Sequence, residues 1–344
     1  MRKNFEPNIE NLHKVLRRER PDRPVLFEFL IDEQLLRRHS QKFQGAEKGS
    51  LEYFAMIIDA FKHLGYDYAP LYPWDTNTLK FEKAEHATQA SYSLNQAAMI
   101  TDRASFEQYP WPDVYDGDYT VYERINAYLP DGMKLMACSN GGILENAIDI
   151  CGFENLCLMA LLDPDLTHEI FDSIGQRYVD YYKIVSSFDS VGVCAVNDDW
   201  GFKTQTVLSP AMMREYVFPW TKQIIEVIHK NGRPVIFHSC GYLKIIMDEI
   251  IDDLKIDAKH SFEDEIYPIE EAYDWWHDRI ALLGGIDVNF LCQKSPAAIK
   301  ARACQLLEKT ADSGGYALGS GNSITSYIPE ENYLAMISAV DEFD

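Results

Sequence analysis

The sequence predicts a single α/β barrel of the (β/α)8, or TIM, type, and three observations carry that expectation. Eight short apolar runs alternate with longer amphipathic ones along the 344 residues. Most of the runs are continuously apolar rather than alternating, as parallel strands covered by helices must be. Polar and titratable residues gather where the runs end, and a barrel would bring those ends to one face. An open doubly wound sheet is the competing arrangement of the same alternation.

The elements follow in order. VLFEFL (25–30) is the first strand candidate. Ser50 then caps LEYFAMIIDAFKHL, and Gly65 stops it in the manner of a C′ glycine. YAPLY (68–72) is the second strand. Residues 73–132, with PWD and YPWPDVYDGDY, read as an insertion on the face where the strands end, either a lid or an edge subdomain that merely packs. MKLMACS (133–139) follows, then a helix opened by Asp163-Pro164, then VGVCAV (191–196). Ser209-Pro210 opens AMMREYVFPWTKQIIEVIHK, which Pro219 should kink or interrupt and Gly232 should end. PVIFHSC (234–240), IDAKHSF (256–262) and IALLGGI (280–286) are the next strands. Ser295-Pro296 opens another helix, and YALGS (316–320) is the last strand. The expectation is one domain, 1–344.

Composition narrows the function. Hydrophobic residues make up 47% and charged residues 25%, enough for a sizeable core. The net charge is −22, from 32 basic and 54 acidic residues. Such a surface repels phosphate backbones and anionic lipid, so neither nucleic acid nor membrane is an expected partner. No apolar run reaches the roughly 18 residues of a membrane span, and MRKNFEPNIENL lacks a signal-peptide core. Seven scattered cysteines with no C-x-x-C pair suggest reduced thiols and a cytoplasmic location.

The strand ends supply the candidate chemistry: Glu28; Tyr72 with Trp74; Asn197-Asp198-Asp199; His238 and Cys240; His260 and Glu263; Asn322. His238 and Cys240, two apart at a strand end, point to the same side and suit a shared zinc ion. Asp198 and Asp199 point opposite ways in extended chain, so one of them faces the pocket, as an acid/base or orienting carboxylate. His260 and Glu263 are each placed to complete a metal site. Trp111 and Trp200, in presumed top-face loops, are candidates to wall an apolar ligand. Gly284-Gly285 and Gly314-Gly315 match no dinucleotide or phosphate loop, and there is no G-x-S-x-G elbow or HExxH helix.

Several segments together resemble the uroporphyrinogen decarboxylase superfamily. They are NLHKVLRRERPDRPVLFEF, NDDWGFKTQTVLSPAMMREYVFPWTKQIIEVIHKNGRPVIFHSCG, IDAKHSFED, ALLGGID and GGYALGSGNSITSYIPEENYLAMISAV. The chain looks closest to the corrinoid-dependent methyltransferase branch, in particular its O-demethylase components. That resemblance implies a (β/α)8 barrel and transfer of a methyl group from a small methoxylated, aromatic donor to a cobalamin carried on a separate corrinoid protein. It further implies zinc as Lewis acid, held by an H-x-C pair and a later cysteine. His238 and Cys240 match the pair, whereas GSGNSI puts Asn322 where the later cysteine stands, which leaves a carboxylate such as Glu263 to complete the shell. Asp198, Asp199 and His260 are then the catalytic candidates, with Glu28, Tyr72, Trp74, Asn197 and Asn322 around the substrate. The decarboxylase proper carries an N-terminal arginine-rich motif and an aspartate at an early strand end. PDRPVLFEFLID and YAPLYPW lack them. A metal-free decarboxylase is the alternative, and a non-catalytic binding barrel the third reading.

Overall fold

The computed structural model describes residues 5–72, 76, 78–83 and 98–343. Seven parallel strands form one sheet in sequential order: β1 (Tyr68–Leu71), β2 (Lys134–Cys138), β3 (Val191–Asn197), β4 (Val235–His238), β5 (Ala258–His260), β6 (Ala281–Leu283) and β7 (Tyr316–Ala317). Helices cover the sheet, and the strands are buried almost without interruption, as their unbroken apolarity requires. The curled, all-parallel order with a helix or loop crossing between strands is that of a TIM-type barrel.

The eighth predicted strand differs from the expectation. Residues 25–31 run beside the chain that leaves β7 and pair with it through isolated bridges, Leu26 to Leu318 and Ile31 to Ile324. On the β1 side, tyrosine hydroxyls take the place of a backbone ladder. The Tyr68 hydroxyl accepts the Glu28 N–H at 2.8 Å and donates to the Glu28 carbonyl at 2.6 Å. The Tyr72 hydroxyl donates to the Phe29 carbonyl. Backbone groups that a strand would pair are thus satisfied by side chains, and the barrel has seven regular staves and one irregular one.

The helix signals hold. Ser50 accepts the Tyr53 N–H, Asp163 that of Leu166, Ser209 that of Met212 and Ser295 that of Ala298. Gly65 takes φ +97°, where a side chain would be strained. Pro219 does interrupt its helix: a π-helical turn, Met213–Val217, precedes the regular helix Phe218–Lys230 and puts the proline in the first turn, where no N–H is needed. β6 is shorter than predicted because Gly284 and Gly285 turn to φ +75° and +102°.

The described part of 73–132 packs on the flank of the barrel. Phe81 stacks on Tyr178 of the helix Pro164–Val185, and Arg177 of that helix donates to the Pro112 carbonyl at 2.7 Å. No helix among the described residues is long and apolar enough to cross a membrane.

Candidate metal centre

Register builds the site. Asn197 pairs with His238, and His238 with His260, so one row crosses the C-terminal ends of β3, β4 and β5. The chain then leaves β4 through Ser239 and Cys240. Gly241, at φ +86°, turns it so closely against Gly201 that a Cβ there would lie 2.1 Å from the Gly201 carbonyl oxygen. This turn aims the Cys240 sulfur back at its neighbour, 3.9 Å from His238 Nε2.

The carboxylate that joins the pair is Asp199. Ligand atoms of Asp199, His238 and Cys240 all lie within 4.8 Å of one another. The Cys240 backbone N–H donates to Asp199 Oδ1 at 2.8 Å, which fixes the acid on the same turn. Glu263 is outside this group. It lines an adjoining cleft of about 530 Å³, together with Glu265, Asp287, Lys203, Tyr327 and Asn322. Burial is the first cause that raises the Glu263 carboxyl above the ordinary range.

The tautomers follow from the hydrogen bonds. His260 Nε2 faces the Ser320 carbonyl at 3.2 Å, and a carbonyl only accepts, so this nitrogen carries the proton. Burial holds His260 down to about 3, hence neutral, and leaves its Nδ1 bare. His238 Nδ1, 2.8 Å away, must therefore donate to it. Burial first, and then the neighbouring His260 ring and the Lys259 ammonium, also keep His238 well below its usual value. A neutral His238 that is protonated on Nδ1 presents a bare Nε2 to Cys240, the form in which imidazole binds metal. Phe29 stacks on the His238 ring at 4.1 Å and holds its plane.

Other predicted site residues are put to different use. Asp198 is buried with one oxygen accepting the Leu144 N–H and the other the Glu145 N–H, both at 2.9 Å. It caps the helix Ile143–Cys151 and does not face the triad. Gly142 lies so near that a Cβ there would meet the Asp198 side chain at 2.1 Å. His260 has both ring nitrogens engaged and is fully buried, so it acts on His238 rather than on a ligand. Glu28 is fully buried behind Ser320, and Asn197 engages Ser139 Oγ at 2.8 Å. Tyr72 closes the barrel edge as described. Trp200 is core, packed on Phe218 and Phe237, and Trp111 sits among Phe81, Phe106 and Tyr109. Trp74 lies outside the described residues.

Two further titratable neighbours, one of them at a strand end, were not among the candidate site residues. Lys259, on β5, is fully buried, and its ammonium donates to the Ser239 and Ser261 carbonyls at 2.8 Å each. Burial brings it down to about 7. Its one signal was a lysine within the strand candidate IDAKHSF (256–262). Glu145 takes the Asp199 backbone N–H and is pushed up to about 8 by burial and by the Asp198 and Asp199 charges. The Cys240 thiol is pushed up to about 12, first by burial and then by Asp199, so only a bound cation would make it a ready thiolate.

A parallel barrel carrying a histidine, a cysteine and a carboxylate at the C-terminal strand ends is an enzyme scaffold with a candidate metal centre. The chain belongs to the uroporphyrinogen decarboxylase family, whose family model matches residues 8–343. Uroporphyrinogen decarboxylases are similar to it at low identity. That of Nitrosomonas europaea is 28% identical over 195 residues, 55% of this chain and 51% of the relative. That of Methylococcus capsulatus is 28% identical over 192 residues, 54% and 51% of the two chains. The chain thus spans about half the length of the curated relatives it matches. Among solved structures, a methyltransferase from Methanosarcina mazei shares the fold with a TM-score of 0.72 at 18% identity, covering 98% of this chain and 99% of the other.

Proposed function

We propose that the chain is a methyltransferase that moves a methyl group from a small methoxylated donor, aromatic methyl ethers foremost, to the cobalamin of a separate corrinoid protein. The observation that carries this reading is the Asp199–His238–Cys240 triad, with His238 Nε2 left bare by its hydrogen bonds, beside a cleft that reaches Asn322. The methyltransferase fold of the Methanosarcina mazei protein supports it. One nitrogen, one sulfur and one carboxylate oxygen suit zinc, which when bound would supply Lewis acidity at the donor's ether oxygen.

The protein's own residues supply position and exclusion of water. His260 holds His238 in the metal-binding tautomer. Phe29 and the buried strand ends keep the triad dry on its inner side, and the cleft admits the donor from the β5–β7 side. The Asp199 carboxylate and the buried Lys259 ammonium balance charge around Cys240. The cleft disfavours the metal-free decarboxylase: among its described lining residues, Glu263, Glu265 and Asp287 face one cation, Lys203, which is paired with Glu265. A polycarboxylate would meet repulsion there.

Two expected results test the reading. Zinc-loaded protein, mixed with methoxyarenes and free Co(I) cobalamin, should form methylcobalamin, followed by its absorbance, and His238→Ala should not. Decarboxylation of uroporphyrinogen with no methyl transfer would reverse the assignment. His260→Phe should weaken zinc binding about 10- to 100-fold by leaving the His238 Nδ1–H without an acceptor. Nitrogen NMR of His238 should then show mixed tautomers, and unaltered tautomer and affinity would exclude the positioning role.

A further inference from the structure

Asn322 stands half-buried in the loop after β7, between the cleft and the triad. Its Nδ2 lies 3.2 Å from the Cys240 sulfur. The loop is anchored from below, because Ser320 donates its N–H to Glu28 at 2.7 Å and its hydroxyl to Glu28 at 2.6 Å. On the other side of the amide, Asn322 Oδ1 accepts from the Ser323 hydroxyl at 3.1 Å.

Nothing in these contacts dictates which amide atom faces the sulfur. A hydroxyl donates or accepts equally well, so half a turn about the last side-chain bond leaves Nδ2 donating to Ser323 and brings Oδ1 against Cys240. The Nδ2 donor suits the protonated thiol. Once the sulfur and the carboxylate share a cation, a carbonyl oxygen suits the same place. Atoms that share a tetrahedral ion at bond lengths of about 2.1 and 2.3 Å stand roughly 3.6 Å apart. The distances to Cys240 Sγ of 3.2 Å from Asn322 and 3.9 Å from His238 bracket that spacing.

We propose, on the basis of the metal centre above, that Asn322 is a metal ligand through Oδ1 and joins Asp199, His238 and Cys240. The set then holds two oxygens, one nitrogen and a single sulfur. It is harder than a site with several thiolates, so it accepts cobalt(II) readily and holds zinc less selectively. Asn322 is then not primarily a substrate contact, although it forms the wall between substrate cleft and metal.

Zinc affinity by chelator competition, and the thiolate-to-cobalt absorption band of the cobalt(II) form, test this without an activity assay. The proteins compared are wild type, Asn322→Ala, Asn322→Cys and Cys240→Ala. Asn322→Ala should weaken zinc binding about tenfold or more, with metal-free thermal unfolding unchanged. Asn322→Cys should tighten zinc binding and intensify the cobalt band, because it adds a second thiolate. Equal zinc affinity in wild type and Asn322→Ala, or an unaltered band in Asn322→Cys, would overturn the assignment. If wild type takes up no metal, or Cys240→Ala takes up as much, the metal centre itself fails and the assignment with it. Loss in Cys240→Ala without loss in Asn322→Ala removes Asn322 alone.

Discussion

Cys240→Ala is expected to abolish stoichiometric zinc binding while leaving the barrel folded. The sulfur is the softest donor of the triad and the one whose bond to a zinc ion would contribute most to selectivity. The contact that shapes the turn does not involve it: Asp199 is held by the Cys240 backbone N–H at 2.8 Å, and the turn itself by Gly241 against Gly201. Metal content by mass spectrometry should give about one zinc per wild-type chain and near none in the variant. Thermal unfolding should report the same loss. A ligand that binds only the native state stabilises it by about 2.7 kcal/mol at a free concentration 100 times its dissociation constant. Excess zinc should therefore raise the wild-type midpoint and leave the variant's unchanged. Full zinc content in Cys240→Ala, or a wild type that takes up none, would end the Lewis-acid reading.

What was legible in the sequence follows from range. Strand identity is local, and seven of the eight apolar runs are strands within a residue or a few. The exception, residues 25–31, fails for a reason no local pattern carries: Tyr68 and Tyr72, some 40 residues on, satisfy its backbone with hydroxyls. The same holds at the site. His238 and Cys240 are two residues apart on one strand end, and their pairing was readable. The opposed directions of Asp198 and Asp199 were readable too, but not which of them faces His238 and Cys240. That is decided by Leu144 and Glu145, whose N–H groups take up the Asp198 carboxylate from more than 50 residues away. Glu263 was the carboxylate named to complete the shell, yet strand register and the Cys240 amide bring Asp199 to the triad. His260 was read as a reacting group because its register with His238 is invisible until β4 and β5 are paired. Asn322 was named from its position after the last strand, and only the folded chain shows that it lines the cleft 3.2 Å from the Cys240 sulfur.

Glu28→Gln should make the protein's stability markedly less sensitive to pH. Glu28 is fully buried, and burial pushes its carboxyl up from 4.5 to about 8, although two hydrogen bonds from Ser320 oppose the rise. In the unfolded chain the carboxyl ionises near its ordinary value. Between about 4.5 and 8 the native state therefore keeps a proton that the unfolded state has lost, and stability falls as pH rises across that window. Below it the contribution is complete, and above it the cost of the buried charge is flat. The displacement corresponds to an upper bound of about 5 kcal/mol. Glutamine has nothing to ionise and still fits: its oxygen accepts the Ser320 N–H, and its amide donates to the Ser320 hydroxyl, which can accept. Relative to wild type, the variant should gain several kcal/mol between pH 5 and pH 8, read from denaturant unfolding at each pH. Glu28→Ala should instead lose stability at every pH, by about 1–3 kcal/mol for the orphaned Ser320 N–H alone. That loss should also loosen the Ser320 carbonyl that fixes the His260 proton, so zinc affinity should fall in the alanine variant and hold in the glutamine one. Parallel pH dependence in wild type and Glu28→Gln would mean that the carboxyl is ionised in the fold and that its charge is met by a partner other than Ser320.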